Sequence, residues 1–366
     1  MVKNEKSLKF RKILKTSGII AGILLGCMFL FVLGVFINHK IQIRREWELL
    51  KSYDIGKTVM VDGREVNYKV FNSEKTEHTL VLMPGLNVQN AALSFTPLAE
   101  KMNARVILIN RPGYALSEDT GADATSDFIV EFYRKTLKEI GVETSVILMP
   151  HSIAGQYAMY WAEKYPEEVS GMIALDIGSP ENAIEEKYNH YDWFSTHLYN
   201  IAAKLGLHRL FMLDEATRDA EAEQLVKTGY FTEDLARASK ILGMENAFPD
   251  FVVSESELEK TNAENTIKIR GENYRKLAKL FIAANQFDKD YYEKYFKETA
   301  LSSFGGDKKA MEEYLEFYKE YKNDNQKALQ DENATFIKVP GPHVIWEYPT
   351  DKLAEAINSF IGNYRG

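Results

Sequence analysis

Short apolar runs alternating with amphipathic helical patterns constrain this chain more than any other feature. Residues 79–83, 105–109, 145–149, 171–175, 277–283 and 336–339 read as strands. Helical patterns follow at 91–102, 126–140, 152–165 and 351–361. Strands that are apolar throughout need cover on both faces, which a parallel sheet with crossover helices provides. The predicted class is therefore α/β: a mostly parallel β-sheet with helices on both faces. Residues 59–68 alternate, pass through Asp62-Gly63 and alternate again, the pattern of a hairpin at the sheet edge. Ligands of such sheets bind beyond the carboxyl ends of the strands, so the chemistry is sought in the loops that follow them.

The pattern changes from 180 to 276, becoming helical, charged and aromatic. This stretch reads as an inserted helical cap, leaving 56–179 and 277–366 as the core. Within the second part, 288–332 reads as an acidic helix rich in Lys and Tyr. Ahead of the core, Ser17 to Ile37 is an uncharged apolar run of 21 residues, long enough to cross a bilayer. It divides the N-terminal region into a tail (1–16), a transmembrane helix (17–38) and a juxtamembrane helical connector (39–55). A cleaved signal peptide would have a shorter apolar stretch followed by a small-x-small site. Leu24-Leu25-Gly26-Cys27 resembles a bacterial lipoprotein cleavage box, but ten further apolar residues follow Cys27, as a spanning helix requires. Six Lys/Arg precede the run and Lys40, Arg44, Arg45 and Lys51 follow it. That bias predicts a single-pass protein of the cell membrane, with a cytosolic N-terminus and an extracytoplasmic body.

Charge separates along the same division. Residues 1–45 carry about +8 and the remainder about −16, and an acidic body is a poor match for nucleic acid. Cys27 is the only cysteine, which rules out an intramolecular disulfide. The seven histidines show no zinc-protease spacing and there is no cysteine cluster, so neither a metal nor a cofactor is expected.

Ser152 carries the sharpest chemical signal. In Met149-Pro150-His151-Ser152-Ile153-Ala154-Gly155 an apolar strand stops and a helix begins at once. A serine at such a turn is exposed, with the following N–H and a helix N-terminus facing any oxyanion that forms on it. The rival reading is an incidental serine between an ordinary strand and helix. A serine hydroxyl is a weak nucleophile without a base. His343, in the Gly/Pro loop after the last strand, falls on the same rim and can shuttle the proton. His151, beside the serine, is expected to have a packing role. The carboxylate that orients His343 is expected between the two in chain order. Asp288, after 277–283, is preferred; Asp176, at the end of 171–175, is the alternative, and Asp290 is a third. Leu86, in Pro84-Gly85-Leu86, and Ile153 are the candidate N–H donors of an oxyanion hole. Gly85 would allow the close approach that this needs.

These pieces, in this order, resemble the α/β-hydrolase superfamily over about 56–364 outside the cap. The resemblance is carried by Pro84-Gly85-Leu86, by Asn110-Arg111-Pro112-Gly113-Tyr114-Ala115-Leu116-Ser117, by the turn at Ser152, by Lys164-Tyr165-Pro166-Glu167-Glu168-Val169 and by Gly341-Pro342-His343 with Glu347-Tyr348-Pro349. The second of these looks like the D-x-P-G-x-G-x-S loop of capped members, with Asn110 for Asp and Ala115 for Gly. The Ser152 segment looks like that of bacterial members with a proline in the elbow. Departures are Pro84 where histidine is common, Pro150 and Ala154 where the elbow usually has glycine, and a long insert between Asp288 and His343. The resemblance implies that epoxide hydrolase and haloalkane dehalogenase members use an aspartate nucleophile, which the serine here argues against. The expected function is a membrane-anchored serine hydrolase cleaving an ester, thioester or amide of a small acyl substrate through an acyl-enzyme. The alternative is a catalytically silent protein of the same fold that senses a ligand or binds a partner.

Overall fold

The structure, a computed structural model, describes residues 2–189, 191–211, 215–245, 247–297, 300–301 and 304–363; at 2–13, 211, 215–220 and 245 it describes the backbone alone. Eight strands form one sheet: β1 (Lys57–Val61), β2 (Arg64–Phe71), β3 (Thr79–Met83), β4 (Arg105–Ile109), β5 (Val146–Pro150), β6 (Val169–Leu175), β7 (Ala278–Asn285) and β8 (Ala334–Pro340). Their order is β1-β2-β4-β3-β5-β6-β7-β8. β2 is antiparallel to β1 and to β4, and the remaining pairs are parallel. The β1–β2 hairpin turns at Asp62 (φ 50°) and Gly63 (φ 79°), the doubly left-handed pair that matches strand twist.

The longer helices include α1 (Val2–Leu50), α2 (Ser126–Glu139), α3 (Ala154–Lys164), α4 (Trp193–Lys204), α5 (Glu233–Glu245), α6 (Asp250–Ile269), α7 (Lys308–Leu329) and α8 (Asp351–Asn363). Side chains alternate across a strand, so each strand feeds two cores. Val81, Ile107, Leu148 and Met172 point to the face covered by α2, α3 and the start of α6. Leu80, Leu82, Val106, Ile147 and Ile173 point to the face covered by α5, α8 and the 91–102 segment. The helices form where local signals favour them. α2, for example, is capped by Thr125, whose hydroxyl accepts the Phe128 N–H, and it buries Ile129, Val130, Tyr133 and Leu137.

Two expectations need correction. The helix expected at 91–102 is two single turns, Ala91–Ser94 and Thr96–Ala99. Pro97 has no N–H for a longer helix to use and clashes with the preceding turn. The helix expected over 288–332 is broken as well. A short turn at Lys289–Tyr291 and a π-turn at Tyr292–Phe296 precede α7. Gly305 (φ 60°) and Gly306 (φ 85°) end the earlier part, and the Asp307 carboxylate caps α7 by accepting the Lys309 and Ala310 N–H groups. The stretch expected as a helical connector at 39–55 is helical as far as Leu50, in one helix with the apolar run.

α1 is long and apolar enough to cross a membrane. Its last turns dock on the body. Leu50 is fully buried in the second core, and α1 packs against α5. Arg209 holds both carboxylate oxygens of Glu46 at 2.9 and 2.8 Å, and its Nε donates to His39 Nδ1 at 2.8 Å.

The helical region between β6 and β7 is joined to the sheet by a buried ion pair. Arg111, in the loop after β4, meets Glu255 of α6 at 2.9 Å, and neither side chain is exposed. The hydroxyls of Tyr114 (2.6 Å) and Tyr157 (3.3 Å) also donate to this carboxylate. Breaking a buried pair from one side leaves an uncompensated charge and costs about 3–5 kcal/mol, whereas apolar replacement of both partners can be close to neutral. Arg111→Leu is therefore expected to lose about that much stability. Urea unfolding of the detergent-solubilised chain checks this, and adding Glu255→Leu should restore a large part of the loss.

Candidate active site

Ser152 stands where β5 meets α3. The last β5 residue, Pro150, pairs with Met83 of β3, and the next N–H, that of His151, donates to the Met83 carbonyl at 3.0 Å. The missing proline N–H therefore falls at a strand end, where it is tolerated. Ser152 then takes φ 55°, a left-handed conformation that costs a non-glycine residue about 1–3 kcal/mol. The turn fits because small residues follow. Ala154 is fully buried, and a Cβ on Gly155 would lie 2.7 Å from the Ile177 Cβ.

The loop after β8, turned at Gly341 (φ 151°), carries His343 over this serine. His343 Nε2 lies 2.9 Å from Ser152 Oγ, and His343 Nδ1 lies 2.7 Å from Asp176 Oδ2. The carboxylate beside His343 is thus Asp176, the second candidate, not Asp288. Asp288 instead caps a helical turn, its side chain accepting the Tyr291 N–H at 3.3 Å, and Asp290 is exposed in that same turn. Asp176 lies at the end of β6 with φ 47°, and β7 supplies a donor to it: the Ala284 N–H, at 2.9 Å.

Lys322 of α7, which sequence reasoning missed, completes the surroundings of Asp176. Its ammonium lies 2.5 and 2.6 Å from the two carboxylate oxygens. It is one lysine among many in an amphipathic helix, and no local spacing ties it to the residues at 152 and 343. Burial alone would push the Asp176 carboxyl up. The Lys322 ammonium and the His343 imidazole outweigh burial and hold it well below the usual carboxylate range. An ionised Asp176 can only accept, so the His343 ring proton sits on Nδ1 and Nε2 is free to take the serine proton.

His151 is fully buried and bridges the two loops. Its Nδ1 accepts the Gly85 N–H at 3.2 Å, so its Nε2 carries the proton and donates to the His343 carbonyl at 2.9 Å. A Cβ on Gly85 would fall 2.6 Å from that Nδ1, so the contact requires glycine. Burial, and then the charge of His343, lower the His151 pKa to about 3.

Leu86 and Ile153, the residues expected to offer their N–H groups to an oxyanion, lie with Ser152 in the wall of one cavity. Among the described residues neither N–H has a hydrogen-bond acceptor. Both residues line a cavity of about 590 Å³ that also contains Ser152, Asp176 and His343. Its far wall is aromatic: Tyr188 from the 180–276 region, Phe296 and Phe304 from the segment after β7, and Tyr314, Tyr318 and Tyr321 from α7. Glu259 of α6 is the acidic group in that wall, its carboxyl pushed up by burial and by Glu255. Among the described residues no group of three His, Cys, Asp or Glu side chains is placed to hold a metal ion.

The family model described as alpha/beta hydrolase fold matches residues 79–225, the stretch from β3 into the helical region. The uncharacterized protein YbdG of Bacillus subtilis strain 168 is 31% identical over 227 residues, which is 62% of this chain and 67% of that one. Among solved structures, a candidate lipase of Acinetobacter baumannii AYE superposes with a TM-score of 0.54 at 15% identity, covering 88% of this chain and 96% of that one. The epoxide hydrolase CorEH superposes with a TM-score of 0.52 at 17% identity, covering 84% and 98%. At such identities the structural likeness is one of fold. With the strand order and the turn at Ser152, these matches establish that the chain belongs to the α/β-hydrolase family.

The depressed pKa of His151 has a consequence for stability. The unfolded chain takes up this proton below about pH 6.5, whereas the folded chain takes it up only near pH 3. Stability is therefore lost as pH falls through that window, by up to about 1.4 kcal/mol per pH unit. Replacing His151 with glutamine removes the titration. Between about pH 6 and 4, the slope of urea stability against pH should be shallower in His151→Gln than in the parent.

Proposed function

We propose that the protein is a membrane-anchored serine hydrolase that cleaves an ester, thioester or amide through an acyl-enzyme. Ser152 Oγ attacks the substrate carbonyl carbon while its proton passes to His343 Nε2. The carbonyl oxygen becomes an oxyanion, facing the Leu86 and Ile153 N–H groups. When the tetrahedral intermediate collapses, the bond to the leaving group breaks and the imidazolium returns its proton to that group. Water then attacks the acyl-serine by the same proton relay, releasing the acid and restoring the hydroxyl. Asp176 keeps the imidazole in the tautomer that can accept the serine proton and stabilises the imidazolium.

The observation that carries this reading is the unbroken hydrogen-bond chain from Ser152 Oγ through His343 to Asp176, at 2.9 and 2.7 Å. The aromatic cavity beside it suits an apolar acyl group. We read 180–276 as a cap over this cavity, joined there by the helical segment between β7 and β8. α1 is the proposed anchor, with its N-terminus cytosolic and the catalytic domain extracytoplasmic.

Ser152→Ala should abolish labelling by a fluorophosphonate probe and hydrolysis of activated esters while the fold survives. An equally active alanine variant would overturn the serine mechanism. A parent protein that binds acyl compounds but is neither labelled nor active would instead favour the catalytically silent reading. Asp176→Asn should lower turnover by roughly 10⁴-fold, and Asp288→Asn should leave it nearly unchanged. Turnover of the purified variants on one chromogenic ester decides between them. The orientation is tested by adding protease to intact cells or protoplasts, which should shave off the catalytic domain. Full protection would reverse the topology.

A further inference from the structure

We propose that α4 is a second membrane contact: its exposed apolar face lies in the surface layer of the bilayer that α1 crosses. The proposal rests on the reading that α1 spans the membrane.

Large apolar side chains are exposed in few places outside α1. Among the described residues they are Met60, Tyr314 and a group between 193 and 210. In that group Trp193 is 59% exposed, Phe194 67%, Leu198 54% and Ile201 54%. Phe194, Leu198 and Ile201 fall at i, i+4 and i+7, one stripe along α4. The opposite side does the packing: Asn200 and Ala203 are buried, and the Asn200 amide donates to the Phe248 carbonyl at 2.9 Å. The stripe is thus not needed to hold α4 in place, and water is a poor solvent for it.

The location of the stripe identifies its occupant. The turn that ends α4 packs directly on α1. A Cβ on Gly206 would lie 2.3 Å from the His39 Cβ, and Arg209 binds both His39 and Glu46. His39 is two residues beyond Ile37, the end of the apolar run. The C-terminal end of α4 therefore stands at the level where α1 leaves the hydrocarbon. At 12 residues, about 18 Å, α4 is too short to span a bilayer but long enough to lie in its surface. Trp193 and Tyr199 are the residue types that favour that layer, and Lys40, Arg44 and Arg45 follow the run on α1. The apolar face of α4 is in this sense continuous with that of α1.

The test uses the full chain in phosphatidylcholine vesicles carrying a nitroxide-labelled lipid. In a Cys27→Ala background, Phe194→Cys, Leu198→Cys, Ile201→Cys and Met60→Cys each take an environment-sensitive thiol fluorophore. The parent protein is labelled at Cys27 itself. The proposal expects blue-shifted emission and strong quenching by shallow nitroxides at 194, 198 and 201, with the probe at 60 unaffected. Probes at 194, 198 and 201 that behave like the one at 60 would overturn it. So would shielding that lipid does not quench but that grows with protein concentration, because a second copy would then cover the face. Deep quenching at Cys27 shows that α1 spans, so failure at 194–201 alone removes only this proposal. Failure at Cys27 removes the anchor reading beneath it.

Discussion

The Arg111–Glu255 ion pair is the interaction on which the rest of the site depends. Two charges out of water are tolerated only when they are closely paired and further hydrogen bonds support the pair. Arg111 donates to the Pro84 and Gly85 carbonyls, at 2.5 and 3.1 Å, as well as to Glu255, with which its Nε is ion-paired at 2.9 Å. Tyr114, bonded to the same carboxylate, accepts the Asn87 N–H at 2.9 Å. The loop that carries Leu86 is thus held by groups that α6 keeps in place. Its other side is fixed by His151, which ties Gly85 to the His343 carbonyl. The helix α6, the loop and the histidine form one hydrogen-bonded unit around the serine.

A second unit surrounds Asp176. A buried carboxylate that is to remain charged needs a nearby cation, and Lys322 provides it. The same helix contributes Tyr314, Tyr318 and Tyr321 to the cavity wall. The segment between β7 and β8 is therefore as much part of the site as the insertion after β6. Its sequence resembles that of a solvated helix because only one edge of it is turned inward.

Much of this was legible beforehand, for physical reasons. The strands were readable because buried parallel strands are apolar throughout, and Ser152 because a strand stopping against a helix leaves few places for a polar side chain. His343 followed from its Gly/Pro loop beyond the last strand. The carboxylate beside His343 was misplaced because chain order alone does not distinguish two adjacent strand ends. Asp176 and the end of β7 lie side by side, and β7 turned out to supply the Ala284 N–H rather than the carboxylate. Asp288 is a residue type suited both to orienting a histidine and to capping a helical turn, and here it caps one. Lys322 was not legible at all, since it reaches Asp176 across 146 residues of chain. The broken helices at 91–102 and 288–332 were overestimated where Pro97 and the Gly305-Gly306 pair should have been given more weight.

α1 continues without a break from the apolar run to its docked end at Leu50, and it is clamped to the body at two levels, His39 and Glu46. A helix fixed in this way is an axle, not a leash. With α1 in a bilayer, the attached body can spin about the membrane normal and drift in the plane, but it cannot tumble. The distance from the hydrocarbon edge to Leu50, about 18 Å at the helical rise, becomes a fixed height. Whatever direction the body turns in the plane, its surface then meets its surroundings at a constant elevation above the hydrocarbon.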